Sequence, residues 1–229
     1  MKTILVTGAN RGIGFEIVRQ LTKLGHTVIL TARHAGAGET AVEKLASEGL
    51  KVHFMPLDVT DGRQIKDSVE EVRNRFGRLD VLINNAGIMP AGDKSILETD
   101  PEITRLIIAT NALAPLHLSQ AFINCMNREG RIIMMSSSGG SMTEAIGGWS
   151  PVYCVSKTML NAFTRHLAFA LSGKGISVNA MCPGWVRTQL GGPNAPRNVE
   201  QGADTAVWLS GCADPGSGRI WQDRQEIPW

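Results

Sequence analysis

Tyr153 is the only tyrosine among 229 residues, and Lys157 follows it four positions later in Tyr153-Cys154-Val155-Ser156-Lys157. On a helix that spacing stacks the two side chains on one face. An ammonium beside a phenol stabilises the phenolate and should draw its pKa down from about 10 toward neutrality. Such a phenol can serve as both general acid and general base. A solvated Tyr–Lys pair on any helix has the same spacing, so the pair needs company to mean chemistry. Ser136-Ser137-Ser138-Gly139-Gly140 follows the apolar run Ile132–Met135, where a strand-end hydroxyl would enter a crevice. Asn111 stands four residues before Pro115. A proline there donates no N–H to the Asn111 carbonyl and crowds it, so the helix should bend. Either this is a plain kink, or the carbonyl takes another donor, such as a water running toward Lys157.

A second set of residues has the chemistry of phosphate binding. The first apolar run leads into Thr7-Gly8-Ala9-Asn10-Arg11-Gly12-Ile13-Gly14, followed by a helical pattern. Glycines allow a tight turn and close backbone approach, and the helix start offers free N–H groups to a pyrophosphate. An NAD site usually carries an acid roughly 20 residues on. Here Ala32-Arg33-His34 occupies that place and the nearest acid is Glu39. Arg33, with Arg11 as a second cation, suits a 2′-phosphate, so the expected cofactor is NADP(H). Asp58, followed by Val59, could meet an adenine edge or cap the next helix. Asn84-Asn85-Ala86-Gly87 places small residues at the end of the fourth strand, where α/β proteins bind ligands.

The elements that must position these groups alternate along the chain. Strand-like runs occur at 3–7, 27–31, 52–55, 81–83, 132–135, 176–181 and more briefly at 219–221. Helical patterns follow the glycine loop and lie near 64–76, 99–127 and 153–172. Apolar strands alternating with helices predict one α/β domain with a parallel sheet covered on both faces. Hydrophobic residues make up 43% and charged residues 19%, enough to build a core. The net charge is only +2, which argues against a dedicated nucleic-acid binder. Cys125, Cys154, Cys182 and Cys212 include no C-x-x-C, and the five histidines show no metal spacing. No metal site is expected, and cytosolic thiols are. The run Leu106–Asn127 is uncharged but carries Asn, His, Gln and Pro, so no membrane span is expected. The first residues lack the pattern of a signal peptide, and a cytoplasmic location is expected.

Taken together, Thr7–Gly14, Asp58, Asn84–Gly87, Asn111, Ser137, Tyr153/Lys157 and Pro183-Gly184 resemble the short-chain dehydrogenase/reductase family over essentially the whole chain. The resemblance implies a Rossmann-type, doubly wound, seven-stranded parallel sheet with helices on both faces, forming a single domain over 1–229. It implies a catalytic tetrad of Asn111, Ser137, Tyr153 and Lys157, with Ser138 the alternative serine. It implies a cofactor set of Gly8, Asn10, Arg11, Gly12, Ile13, Gly14, Arg33, Asp58, Val59, Asn85, Ala86 and Gly87 together with Tyr153 and Lys157. Pro183, Gly184, Val186 and Thr188 would close over the nicotinamide.

Within the family, Asn10-Arg11, the Leu30–Arg33 strand end, Gly184–Thr188 and Glu226-Ile227-Pro228-Trp229 look most like NADPH carbonyl reductases. The expected reaction is reversible hydride transfer from NADPH to a ketone or aldehyde. Met89, Met142, Trp149, Trp185 and Leu190 flank the tyrosine as expected apolar walls for a small hydrophobic carbonyl or alcohol substrate. A short Gly-, Pro- and Asn-rich lid at about 187–200 suggests an open site. Monomeric members of that group carry a long insertion before the tyrosine, whereas only fifteen residues separate Ser137 from Tyr153 here. A homodimer or homotetramer is therefore expected. Two other readings stay open: reduction of 3-oxoacyl thioesters or oxidation of other alcohols on the same scaffold, and an NADP(H)-binding sensor without turnover.

Overall fold

The computed structural model describes residues 1–144 and 147–229. The strands are Thr3–Val6 (β1), Thr27–Ala32 (β2), His53–Pro56 (β3), Leu79–Asn84 (β4), Met126–Met135 (β5), Ser177–Met181 (β6), Ile220–Gln222 (β7) and Gln225–Ile227 (β8). The helices are Gly12–Lys23 (α1), Ala35–Ser47 (α2), Gly62–Phe76 (α3), Pro101–Ile108 (α4), Ala114–Phe122 (α5), Pro151–Leu171 (α6) and Val199–Gly211 (α7). The strands form one sheet in the order β3-β2-β1-β4-β5-β6-β7-β8. All neighbours are parallel except the final pair. Strand order reverses between β1 and β4, which opens a crevice at their C-terminal ends.

Alternation along the strands explains the two cores. Leu5, Ile29, Leu82, Ile132 and Val178 point to one face, under α3, α5 and α6. Ile4, Val28, Leu30, Val81 and Ile133 point to the other, under α1, α2 and α7.

The sheet has eight strands rather than the expected seven, and the added one is antiparallel. β8 returns from β7 through Asp223 and Arg224, both at positive φ (50° and 61°), a left-handed pair that suits a two-residue hairpin. Its three residues Gln-Glu-Ile carry too little apolar pattern to be read as a strand.

The long helical stretch is also not uniform. It runs as α4, a π-helical turn over Ala109–Leu113 and then α5. Pro115 lies one residue past the start of α5, where its missing N–H is tolerated, and the turn containing Asn111 is widened into a π turn. Residues 101–125 are long and apolar enough to cross a membrane by length and composition; an 18-residue window within them has a mean hydropathy of 1.4, and half of that window is buried inside the fold.

Candidate active site

Two loops at the crevice are stitched together before any ligand is considered. Thr7 Oγ1 accepts from the N–H groups of Asn85 and Ala86, each at 3.0 Å. Asn85 Nδ2 donates to the carbonyls of Thr7 at 2.8 Å and Gly8 at 3.1 Å. Gly8 takes φ +60°, and a Cβ there would lie 2.9 Å from Ala86 Cα. A Cβ on Gly14 would meet Asn85 Nδ2 at 2.4 Å. These glycines are therefore required by close approach as well as by turn geometry. Gly12, at φ +58°, lies against Thr188, so the strip after β6 reaches the glycine loop.

Helix α1 starts with no side-chain cap and no acid in its first turn. Its free N–H groups and partial positive charge face the loop, as an anion site requires. Arg11 and Arg33 are exposed, and among the described residues neither forms an ion pair. Ile13 is half-buried and lies next to Gly202 of α7. Asn10 is half-buried in the loop. This cradle fits a dinucleotide with an extra phosphate. Asp58 is not the cap of α3: Asp61 is, accepting from Arg63 N and Gln64 N. Asp58 Oδ1 instead takes Thr60 N–H and hydroxyl at 2.9 and 2.7 Å, beside the buried Val59.

Across the crevice, Tyr153 and Lys157 share one face of α6, 7% and 4% exposed. Lys157 Nζ lies 5.6 Å from the Tyr153 ring centroid and donates to the Met135 carbonyl at 2.8 Å. Ser137 caps the short turn after β5, accepting from Gly139 N–H at 3.1 Å, and its hydroxyl lies close enough to the Tyr153 phenol to favour the ionised form. Ser138 is exposed and Ser136 is spent on Asn161 Oδ1 at 2.6 Å, which favours Ser137 of the three. A Cβ on Gly87 would lie 3.5 Å from Asn111 Oδ1 and 3.7 Å from Lys157 Nζ, so β4 loop, π turn and α6 meet there. The Asn111 side chain bonds the Ile88 N–H at 2.8 Å, the Ile88 carbonyl at 2.9 Å and Ser156 Oγ at 3.1 Å.

The electrostatics differ from the expected Lys-depressed phenol. Burial pushes Tyr153 up to about 12, with the nearby Ser137 hydroxyl working in the opposite direction. Burial pulls Lys157 down to about 8. At any pH where the phenol would ionise on its own, the lysine has already lost its charge and cannot stabilise phenolate. At neutral pH the pair is a protonated phenol beside a mainly charged ammonium.

The expected substrate walls are not all gathered on the tyrosine. The Trp149 ring lies 5.8 Å from the Tyr153 ring. Met142 instead lines an apolar groove on the opposite face of α6, with Pro151, Val155 and Met159. Trp185 and Leu190 are exposed beyond β6, and Met89 is half-buried after β4. Val186 sends its buried side chain under Gly202 of α7. Gly184 has φ +71°, next to the half-buried Pro183. The segment from Trp185 to Arg197 is held to itself: Trp185 Nε1 donates to Gly191 O at 2.7 Å, and Arg187 N–H to Arg197 O at 2.8 Å. Arg197 forks onto Asp223 of the β7–β8 turn. Helix α7 starts at Val199, so the loop expected as a lid over about 187–200 ends at residue 198.

Two features were missed in the sequence. One is α7, although the Asn198–Gln201 capping box was a legible start signal. The other is Asp93, a buried acid bonded to the first turn of α6, for which no local motif exists.

A glycine-rich strand-to-helix loop facing a buried Tyr–Lys pair beside a strand-end serine, on a doubly wound sheet, defines a dinucleotide-linked oxidoreductase scaffold. The chain belongs to the short-chain dehydrogenase family, whose model matches residues 2–198. It is similar to carbonyl reductase (NADPH) 1 of Sus scrofa, 32% identical over 275 aligned positions that cover 100% of this chain and 94% of the relative. Since the chain has 229 residues, 275 − 229 leaves about 46 positions that only the relative fills. Among solved structures it resembles the NADPH-bound carbonyl reductase from chicken fatty liver, with TM-score 0.88, 32% identity and coverage of 100% and 99%. It also resembles a Burkholderia multivorans short-chain dehydrogenase/reductase with bound NADP, with TM-score 0.89, 29% identity and the same coverage.

Proposed function

We propose that this chain is an NADPH-dependent carbonyl reductase acting on small hydrophobic ketones or aldehydes. The observation that carries the reading is the Tyr153–Lys157 pair buried on one face of α6, with the Ser137–Gly140 turn packed against that helix, across the crevice from the glycine cradle. Bound NADPH supplies the hydride for the carbonyl carbon, leaving NADP+ and an alcohol. Arg11 and Arg33 would hold the 2′-phosphate, the α1 start with Gly8, Asn10, Gly12, Ile13 and Gly14 the pyrophosphate, and Asp58 with Val59 the adenine. Asn85, Ala86, Gly87 and the strip Pro183, Gly184, Val186, Thr188 would enclose the nicotinamide end.

Ser137 hydrogen-bonds the carbonyl oxygen, and Tyr153 gives its proton to that oxygen as negative charge develops. Lys157, charged at neutral pH, faces the phenolate left behind and would hold the nicotinamide ribose. The Asn111 side chain is spent on Ile88 and Ser156, so its main-chain carbonyl is the group that would accept a proton-relay water; Pro115, four residues on, has no N–H to give it. Trp149 and Trp185 are the apolar walls in this reading, and residues 187–198 form the short lid. The exposed apolar groove along α6 supports a homo-oligomer. The four free thiols fit a reducing compartment such as the cytoplasm.

The test follows NADPH absorbance over aliphatic, aryl and keto-ester substrates. Tyr153→Phe is expected to lose nearly all turnover while keeping NADPH binding, and wild-type rates in that variant would remove the assignment. Running the same assay with NADH checks Arg33, since equal kcat/KM for the two cofactors contradicts its role.

A further inference from the structure

Asp93 is a buried acid that the chemistry above leaves unused. It lies in the segment after β4, 3% exposed. Its Oδ1 accepts from Val152 N–H at 3.0 Å and its Oδ2 from Tyr153 N–H at 2.8 Å. Thr99 Oγ1 donates to Oδ1 at 3.4 Å. A helix needs acceptors for the N–H groups of its first turn. In α6 these do not come from the flanking residue, because Ser150, at φ 39°, makes no side-chain cap bond. They come from a carboxylate 59 residues upstream.

This bond closes a ring. From Asp93 the chain runs back to Ile88, whose N–H and carbonyl are both bonded to Asn111 in the π turn. Asn111 Nδ2 donates to Ser156 Oγ at 3.1 Å, and Ser156 Oγ donates to the Tyr153 carbonyl at 2.6 Å. The main chain of Tyr153 is thus held at its N–H by Asp93 and at its carbonyl by Ser156. The segment carrying Asn85–Gly87 and the first turn of α6 become one unit.

We propose that Asp93 is a positioning residue: by tying the start of α6 to the β4 loop it sets where the Tyr153 phenol stands relative to Ser137 and Gly87. The inference rests on the reductase reading. It gives the carboxylate a role that a local helix cap could not fill, because a local cap would stabilise α6 without fixing it to the nicotinamide side of the crevice. A displacement of about 1 Å at a reacting group costs on the order of 100-fold in rate.

The experiment compares wild type, Asp93→Ala and Asp93→Asn in NADPH-dependent reduction of an activated keto ester. NADPH affinity is measured in parallel by fluorescence. Asp93→Ala is expected to lose kcat by about 10- to 100-fold, with the NADPH Kd unchanged. Asp93→Asn, which keeps one acceptor oxygen, should recover part of the loss. A wild-type kcat in folded Asp93→Ala overturns the proposal. If Asp93→Ala does not fold, Asp93→Asn decides. A lowered kcat with NADPH affinity kept supports the proposal, and an unchanged kcat, or kcat and affinity falling together, overturns it. A wild type that oxidises no NADPH with any carbonyl sinks the reductase reading instead. Asp93 is then judged by the phenol titration of Tyr153, which must shift in the variants for the positioning role to stand.

Discussion

The Tyr153–Lys157 pair shows how burial overrides a spacing argument. Four-residue spacing correctly places both groups on one face of α6, and from that alone the lysine should lower the phenol. Both groups, however, are shut away from water, and desolvation moves each toward its neutral form: the phenol up to about 12 and the amine down to about 8. The single tyrosine makes this directly measurable, since phenolate absorbance has one source. In the native protein phenolate should be absent at pH 10.5 and appear near pH 12. In urea it should appear near the ordinary value of 10. Between those values the folded chain keeps a proton that the unfolded chain loses, so this group makes stability fall as pH rises from 10 to 12 and leaves it flat below. A native midpoint near 10 would show that the phenol is solvated and that the burial argument fails. The pair itself was legible because both residues lie within one helical turn. Asp93 was not, because its partners on α6 are 59 and 60 positions away and only the tertiary fold joins them.

At the scale of elements, the site depends on how closely the segment after β5 approaches α6. Gly140 is the contact: a Cβ there would stand 2.8 Å from the Lys157 carbonyl carbon and 2.9 Å from its Cβ. The obstruction is helix backbone, which cannot rotate away. The Gly140 carbonyl also accepts from Asn161 Nδ2 at 3.0 Å, which locks the approach. Gly140→Ala must push the Ser137–Gly140 turn off the helix, parting Ser137 from Tyr153. The expected cost is about 1–3 kcal/mol of stability, typical of overpacking, with a fall in kcat larger than any change in NADPH affinity. Urea unfolding and steady-state kinetics on the same preparation check both, and an unchanged kcat would mean the turn has slack. The sequence shows Gly139-Gly140 as a turn after a strand, but turn glycines and packing glycines look alike until the facing helix is known. The opposite holds for the phosphate cradle. There the strand, glycines and helix are contiguous, so the whole element was legible. β8 and the π turn were not: one is short and polar, and the other is a local answer to Pro115 that tertiary packing selects.

For the whole molecule, the surface carries an unbalanced apolar strip. Ile96, Met142, Pro151, Val155 and Met159 line a groove of about 570 Å³ along the face of α6 that turns away from Tyr153. Leu106 on α4 and Phe169 near the end of α6 are also exposed, the latter at 84%. Large exposed apolar patches mark contact surfaces. The pig relative carries about 46 residues with no counterpart here, and the stretch between Ser137 and Tyr153 is only fifteen residues long, leaving little chain to cover the groove from within. A second copy pairing along α6 would bury the strip twice, and a self-complementary patch of this kind is what a two-fold interface uses. Sedimentation at micromolar concentration should therefore give a mass at least twice 24.7 kDa. Val155→Asp, about half exposed and far from the sheet core, should shift the chain to monomer without unfolding it, because burying an unpaired carboxylate in an apolar interface is costly. A wild-type monomer, or an oligomer indifferent to Val155→Asp, would place the interface elsewhere and leave the groove without its second copy.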